Sequence, residues 1–246
     1  MALDPAAAYD ETHRTITALI HECTDAELAI TVPATPLWSV LDVVRHVCGV
    51  AHDAVYGDVP LDLNPMEAWH TDEGKRRGDE YTARHIESRV DASRDDILAE
   101  WDGVTARMLP MVAGQVPFPQ PVPLLEFVGV TDLAVHSQDI RGALRRPGDR
   151  ESAAVGIALA GYATGLGLRV ASRGLPALAI RYGGRERMIG TGPPAATWSG
   201  ERYEVFRALS GRRSRRQIAA MDWDGDPTPY LSIISQYGER ADDLVE

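Results

Sequence analysis

The chain predicts two structural classes in succession, a four-helix bundle and then a small α+β part. Apolar residues recur at the helical period through most of the first 148 positions, over stretches too long for strands. Pro117, Pro119, Pro121 and Pro123 interrupt that pattern and force an extended connection into its last helix. After Arg146-Pro147-Gly148 the texture changes to short runs separated by glycine pairs, which read as strands and turns. Domains are therefore expected at 1–148 and 149–246.

The helices follow in order. Asp4 with Pro5 opens the first, which continues to about residue 28. Ser39 and Asp42 form a capping box that opens a second from Val40 to Tyr56. On it Val40, Val43, Val44, Val47, Val50 and Ala51 make a buried arc, with His46 about 40° beyond Val50. Residues 57–80 hold two prolines and three glycines in a polar context and read as a long crossover loop with one short helical turn at most. A third helix is expected from Tyr81 to Val112, with Ile86, Val90, Ile97, Trp101 and Met108 facing inward. The fourth spans Glu126 to Leu144, and four long helices with one crossover make a bundle.

The second part begins with a helix over Ser152–Arg173. Leu178–Tyr182 and Arg185–Thr191, joined by Gly183-Gly184, read as a hairpin, and Ala196–Trp198 as a further strand. A helix from Ser199 to Leu209 ends at Gly211, a piece from Ser214 to Met221 follows, and Asp224-Gly225-Asp226-Pro227 is a turn before a short terminal helix with Pro229, Leu231 and Ile234.

Composition narrows the function. With 44% hydrophobic and 25% charged residues over 246 positions, the chain is an ordinary globular protein. A formal net charge of -11 argues against nucleic acid and anionic membranes as partners. The N-terminus has no basic region followed by an apolar core, and no apolar run approaches membrane-spanning length, so a cytoplasmic location is expected. Cys23 and Cys48 cannot build a disulfide framework and read as reduced, buried thiols.

The fourth helix breaks its own hydrophobic rule. Leu125, Val128, Gly129, Val135, Ile140 and Ala143 fall on one arc, with Asp132, His136 and Asp139 in its middle and Val130, Ser137 and Arg141 facing away. Left unpaired, these polar groups would cost several kcal/mol on burial. A divalent metal compensates them economically, because Asp132 and His136 are one turn apart and aim at a common point. His46, brought across from the second helix, would make a third ligand and leave a position open, as catalytic rather than structural zinc sites do. Asp139 is placed to accept the second ring N–H of a ligand histidine or to anchor an incoming group. His13, His21, His52, His70 and His85 read as mostly surface or loop histidines, and Arg212 to Arg216 as a solvated helix face or an anion site. No P-loop, dinucleotide-binding glycine pattern or serine nucleophile elbow is present.

These residues carry a resemblance. Trp38-Ser-Val-Leu-Asp-Val-Val-Arg-His46 resembles the second-helix motif of DinB-like bundles. Asp132-Leu-Ala-Val-His136-Ser-Gln-Asp139-Ile-Arg141 is similar to the fourth-helix motif of the mycothiol-dependent maleylpyruvate isomerase family, and Gly211-Arg212-Arg213 and Trp223-Asp-Gly-Asp-Pro227 resemble that family's C-terminal domain. The resemblance implies a divalent metal, zinc foremost, held at His46, Asp132 and His136, with the thiol of mycothiol or a similar small cofactor at the open position. Asp132 departs from the family's usual Glu and is shorter by one methylene. An arginine of the C-terminal domain facing the metal is also implied, and Arg212 is the match. Arg212 and Asp139 are thus the catalytic candidates, and Arg212 with Arg213 the cofactor-binding ones. The implied activity is isomerisation of, or S-transfer to, a small electrophile such as maleylpyruvate, by a monomer or homodimer. The alternative from a different class is a DinB-like metal-binding stress or binding protein without thiol turnover. Metal-assisted hydrolysis lacks an evident general base.

Overall fold

The computed structural model describes residues 4–60 and 71–246, so most of the expected crossover, with His70, lies outside the described residues. The described chain divides into two units, one holding residues 4–60, Asp72–Ala158 and Glu246, the other Thr71 and Leu159–Val245.

The first unit is helical: α1 (Pro5–His21), α2 (Asp25–Leu28), α3 (Val40–Tyr56), α4 (Asp72–Glu87), α5 (Arg94–Val112) and α6 (Leu125–Leu144). Of these, α1, α3, α5 and α6 form the bundle, α3 packing on α5 and α6 and α1 on the same two, while α4 lies against α3. Ile16, Ile20, Val43, Val44, Trp101 and Met108 fill the interior.

Capping chemistry explains where the helices start and stop. The Asp4 carboxylate accepts from Ala7 N at 3.0 Å to open α1. The expected single helix to about residue 28 is broken after His21, because Thr24 and Glu27 form a reciprocal capping box that starts α2. On α3 the boundaries are those expected: Asp42 N donates to Ser39 Oγ at 3.1 Å, Ser39 N donates to Asp42 Oδ2 at 2.9 Å, and Gly57 at φ +82 closes the far end. Ser39→Ala is expected to lower stability by about 1 kcal/mol, read as a Tm lower by about 2–4 °C with unchanged helix content by circular dichroism.

The expected third helix over Tyr81–Val112 is two helices. A second capping box, Ser93 with Asp96, restarts the chain as α5, and Val90, expected inside, is 60% exposed on the connection. The loop reading of residues 57–80 also ends early, since α4 begins at Asp72. Its polar composition is helical because charges pair along it, Arg76 reaching Glu73 at 2.6 Å and Glu80 at 2.5 Å. The single buried arc expected on α6 is likewise corrected. Val130 and Ser137, read as facing away, are buried, because α1, α3 and α5 all pack on this helix.

The second unit takes α7 (Ala153–Ser172) from Leu159 onward, then β1 (Ala177–Tyr182), β2 (Arg185–Ile189), β3 (Pro194–Ser199), α8 (Arg202–Leu209), α9 (Arg215–Ala219), β4 (Asp222–Asp224) and α10 (Thr228–Leu231). The sheet has order β2-β1-β3-β4, with β1 and β3 parallel and the outer pairings antiparallel. Gly183 at φ 54 and Gly184 at φ 70 supply the left-handed pair that a two-residue hairpin needs. The stretch around Asp224 was expected only as a turn, yet it adds β4, with Trp223 stacked on Trp198 at 5.5 Å. Contrary to the expectation from the sequence, α7 is long and apolar enough to cross a membrane by length and composition. Most of its apolar residues are spent inward: Leu159, Ala163, Leu166 and Val170 are buried, though Leu168 is exposed, and Arg169 donates to the carbonyls of Ile233 and Ile234 at 2.8 and 3.2 Å.

Candidate metal centre

A polar stripe on α3 meets α6 through His46 and meets His85 of α4 through Gly49 and Asp53. His46, Gly49 and Asp53 sit at positions i, i+3 and i+7 of α3, and Asp132, His136 and Asp139 at i, i+4 and i+7 of α6. His46 Nε2 lies 3.5 Å from Asp132 Oδ2, and His136 Nε2 lies 3.6 Å from Asp132 Oδ1. The two imidazoles converge, with centroids 4.9 Å apart and planes at 79°. All three side chains present donor atoms within 4.8 Å of one another.

These separations are long for hydrogen bonds. They match the roughly 3.4 Å edge between donors that share one tetrahedral ion at about 2.1 Å. Asp132 Oδ2 is buried without a hydrogen-bond partner, an orphaned acceptor that a cation would satisfy. The donor chemistry of two nitrogens and a carboxylate therefore fits a divalent metal of the zinc type. The shorter side chain at Asp132 already reaches, because α3 and α6 pack directly on each other.

Electrostatics agree with the geometry. Burial disfavours a charged imidazole at His46 and, against the pull of the Asp132 carboxylate, lowers its pKa to about 4. Burial works the other way on Asp132, but His46 and His136 outweigh it and bring that carboxyl down to about 2. At neutral pH the neutral His46 imidazole thus faces the Asp132 carboxylate, whose negative charge a cation would neutralise. The unfolded chain protonates His46 near 6.5 while the folded chain holds it neutral to about 4. Acidification of metal-free protein across that window is therefore expected to remove stability, by about 3 kcal/mol at its lower end. Urea titrations at a series of pH values would check this, and a flat profile between those limits would contradict it.

A partner stands behind each imidazole. His46 Nδ1 is hydrogen-bonded to His85 Nδ1 at 3.2 Å, and His85 Nε2 to Asp53 Oδ2 at 3.0 Å. Behind His136, Nδ1 lies 3.0 Å from Asp139 Oδ2, close enough for charge attraction though not aligned along the ring N–H. Trp38, half-buried, covers both rings, at 4.9 Å from His46 and 6.0 Å from His136 between centroids.

His85 was expected at the surface and is buried, as is His13, which stands edge-on to Trp101 at 4.6 Å. His85, Asp53, Gly49 and Trp38 were not read as site residues. The signal for two of them was the i, i+3, i+7 spacing from His46 on one helix face. His52, Asp53 and Asp58 form a second group with ligand-like spacing, but Asp53 is already engaged by His85 and Asp58 is exposed. Cys48 is fully buried, and burial pushes its thiol up to about 12, which closes it as a nucleophile.

In the second unit, the turn after α8 carries Arg212 and Arg213, both buried rather than on a solvated face. Arg212 donates to Ser210 O at 2.7 Å and lies 5.6 Å from the Tyr237 ring centroid, while Arg213 forks onto Glu204 at 2.7 and 2.8 Å. Further along, Arg215 and Arg216 are exposed and paired with Glu239 and Asp243.

No curated protein matches the sequence. Among solved structures, the mycothiol-dependent maleylpyruvate isomerase aligns at 14% identity over 86% of this chain and 90% of that one, with a TM-score of 0.47. A histidine-to-alanine variant of that isomerase aligns at the same identity and coverage with a TM-score of 0.45. The family model described as the mycothiol maleylpyruvate isomerase N-terminal domain matches residues 9–141, a span that takes in α3, most of α6 and all three convergent side chains. That span is more than half of the sequence, and the chain belongs to the mycothiol maleylpyruvate isomerase N-terminal domain family.

Proposed function

We propose that the chain is a metal-dependent enzyme that uses a low-molecular-weight thiol, mycothiol or a close analogue, either to isomerise a small electrophile of the maleylpyruvate type or to transfer the thiol onto it. The observation that carries this reading is the buried Asp132 oxygen left without a hydrogen bond between two converging imidazole Nε2 atoms. His46, Asp132 and His136 would hold the ion. A zinc-type cation there supplies a lowered pKa for a bound thiol, so that thiolate is available at neutral pH. Trp38 limits water access from its side, and Asp139 holds His136 rather than touching substrate, since its side chain is fully buried. We assign Arg212 to the substrate carboxylate or a developing enolate oxygen, which a guanidinium fork suits. Arg213 beside it is assigned with Arg212 to the thiol cofactor, although its own guanidinium is committed to Glu204. Thiol addition to an activated double bond followed by rotation and thiol loss gives the isomer, and retention of the thiol gives S-transfer.

The test is to measure metal per chain after purification, then consumption of mycothiol with maleylpyruvate and with simpler electrophiles. Activity that tracks metal content supports the reading. Metal bound at one per chain with no thiol turnover for any electrophile would favour the DinB-like binding protein instead.

A further inference from the structure

We propose that His85, held by Asp53, is a positioning residue that fixes the tautomer of His46 and thereby sets how tightly the chain binds a divalent cation. This rests on the metal-site reading above and adds to it two residues outside the ligand set.

The argument is a proton count along three side chains. A carboxylate can only accept, so the 3.0 Å contact with Asp53 Oδ2 places the ring proton of His85 on Nε2. With one ring proton on His85, as in a neutral imidazole, its Nδ1 is then a lone-pair acceptor. The 3.2 Å contact between the two Nδ1 atoms therefore requires His46 to donate from its own Nδ1. Neutral His46 carries one ring proton, so its Nε2 is left bare, and that is the atom facing Asp132 at 3.5 Å. The His46 ring and the Asp132 carboxylate thus each aim a lone pair at the candidate site.

The fold goes out of its way to keep His85 there. On α4 the other buried residues are Gly74 and Gly78, so His85 does not extend an apolar core. Gly49 leaves a notch for it on α3, where an added Cβ would lie 2.4 Å from His85 Cγ. Tyr81 stands edge-on to the ring at 4.5 Å and blocks its other side.

The experiment compares full-length, metal-stripped wild type with His85→Phe and His85→Asn, measuring Co2+ and Zn2+ affinity by chelator competition, the visible Co2+ spectrum, and Tm. Phe keeps the ring volume without an acceptor. Asn loses volume but can place an amide oxygen near the position of Nδ1. Affinity is expected to fall about 10- to 100-fold in His85→Phe, as for loss of an outer partner of a ligand histidine, with an altered Co2+ spectrum. His85→Asn should bind more tightly than His85→Phe despite a lower Tm. If the two affinities instead follow the melting temperatures, or if His85→Phe binds like wild type, the positioning role is overturned while the metal site stands. A wild-type chain that binds no Co2+ overturns the metal site and this role together.

Discussion

His136→Ala is expected to purify with almost no bound metal and to lose thiol turnover. Its Nε2 is one of three donors, with His46 and Asp132, and removing it leaves two, fewer than catalytic zinc sites use. The loss in metal affinity should exceed the roughly 10- to 100-fold typical of an outer partner. The fold should survive, because the deleted ring sits over a polar site partly covered by Trp38 rather than inside the apolar core built around Trp101 and Met108. Metal analysis of the dialysed variant beside circular dichroism separates the two effects. Full activity in folded His136→Ala would remove the basis for the proposed chemistry. Asp132→Asn makes a useful companion, since it keeps the shape and deletes the negative charge that a cation would neutralise.

Gly49→Ala is expected to cost both stability and metal. The new methyl would lie 2.4–2.6 Å from three atoms of the His85 side chain, a distance that forces the ring or α4 to move. Overpacking of this kind costs about 1–3 kcal/mol. It would also pull His85 away from His46 Nδ1, so metal affinity should fall together with Tm. By contrast, Gly103→Ala on α5 meets nothing within 4 Å and should leave both unchanged or slightly raise stability through helix propensity. A Gly49→Ala chain with wild-type Tm and wild-type Zn2+ affinity would show that the close approach of α4 to α3 is readily relaxed.

How much of this was legible follows the reach of each signal. Local signals were read well: α3 runs between its expected ends because the Ser39–Asp42 capping box and Gly57 both lie within one turn of them. The start of α6 is less clear in sequence, since it follows Leu124 in a left-handed conformation at φ 61 with no side-chain cap. The break between α4 and α5 was missed because Val90 keeps the helical phase of Ile86 and Ile97, so periodicity alone bridges the connection. Asp132 and His136 stood out because an ionisable pair at one-turn spacing in an apolar stripe has few inexpensive explanations. His85 did not, because α4 is polar on most sides and its partner Asp53 lies 32 positions away on another helix. The expectation of a one-sided α6 failed for a related reason: three neighbouring helices cover it, and burial by several neighbours erases the amphipathic pattern that a single contact would leave.

The outer strand β2 has a consequence for solubility. Arg185 and Glu186 are exposed along this border of the sheet, and Arg187 beside them donates to Thr164. A foreign strand docking there would have to strip water from alternating charges before any main-chain pairing could form. The border therefore guards itself against runaway stacking between molecules.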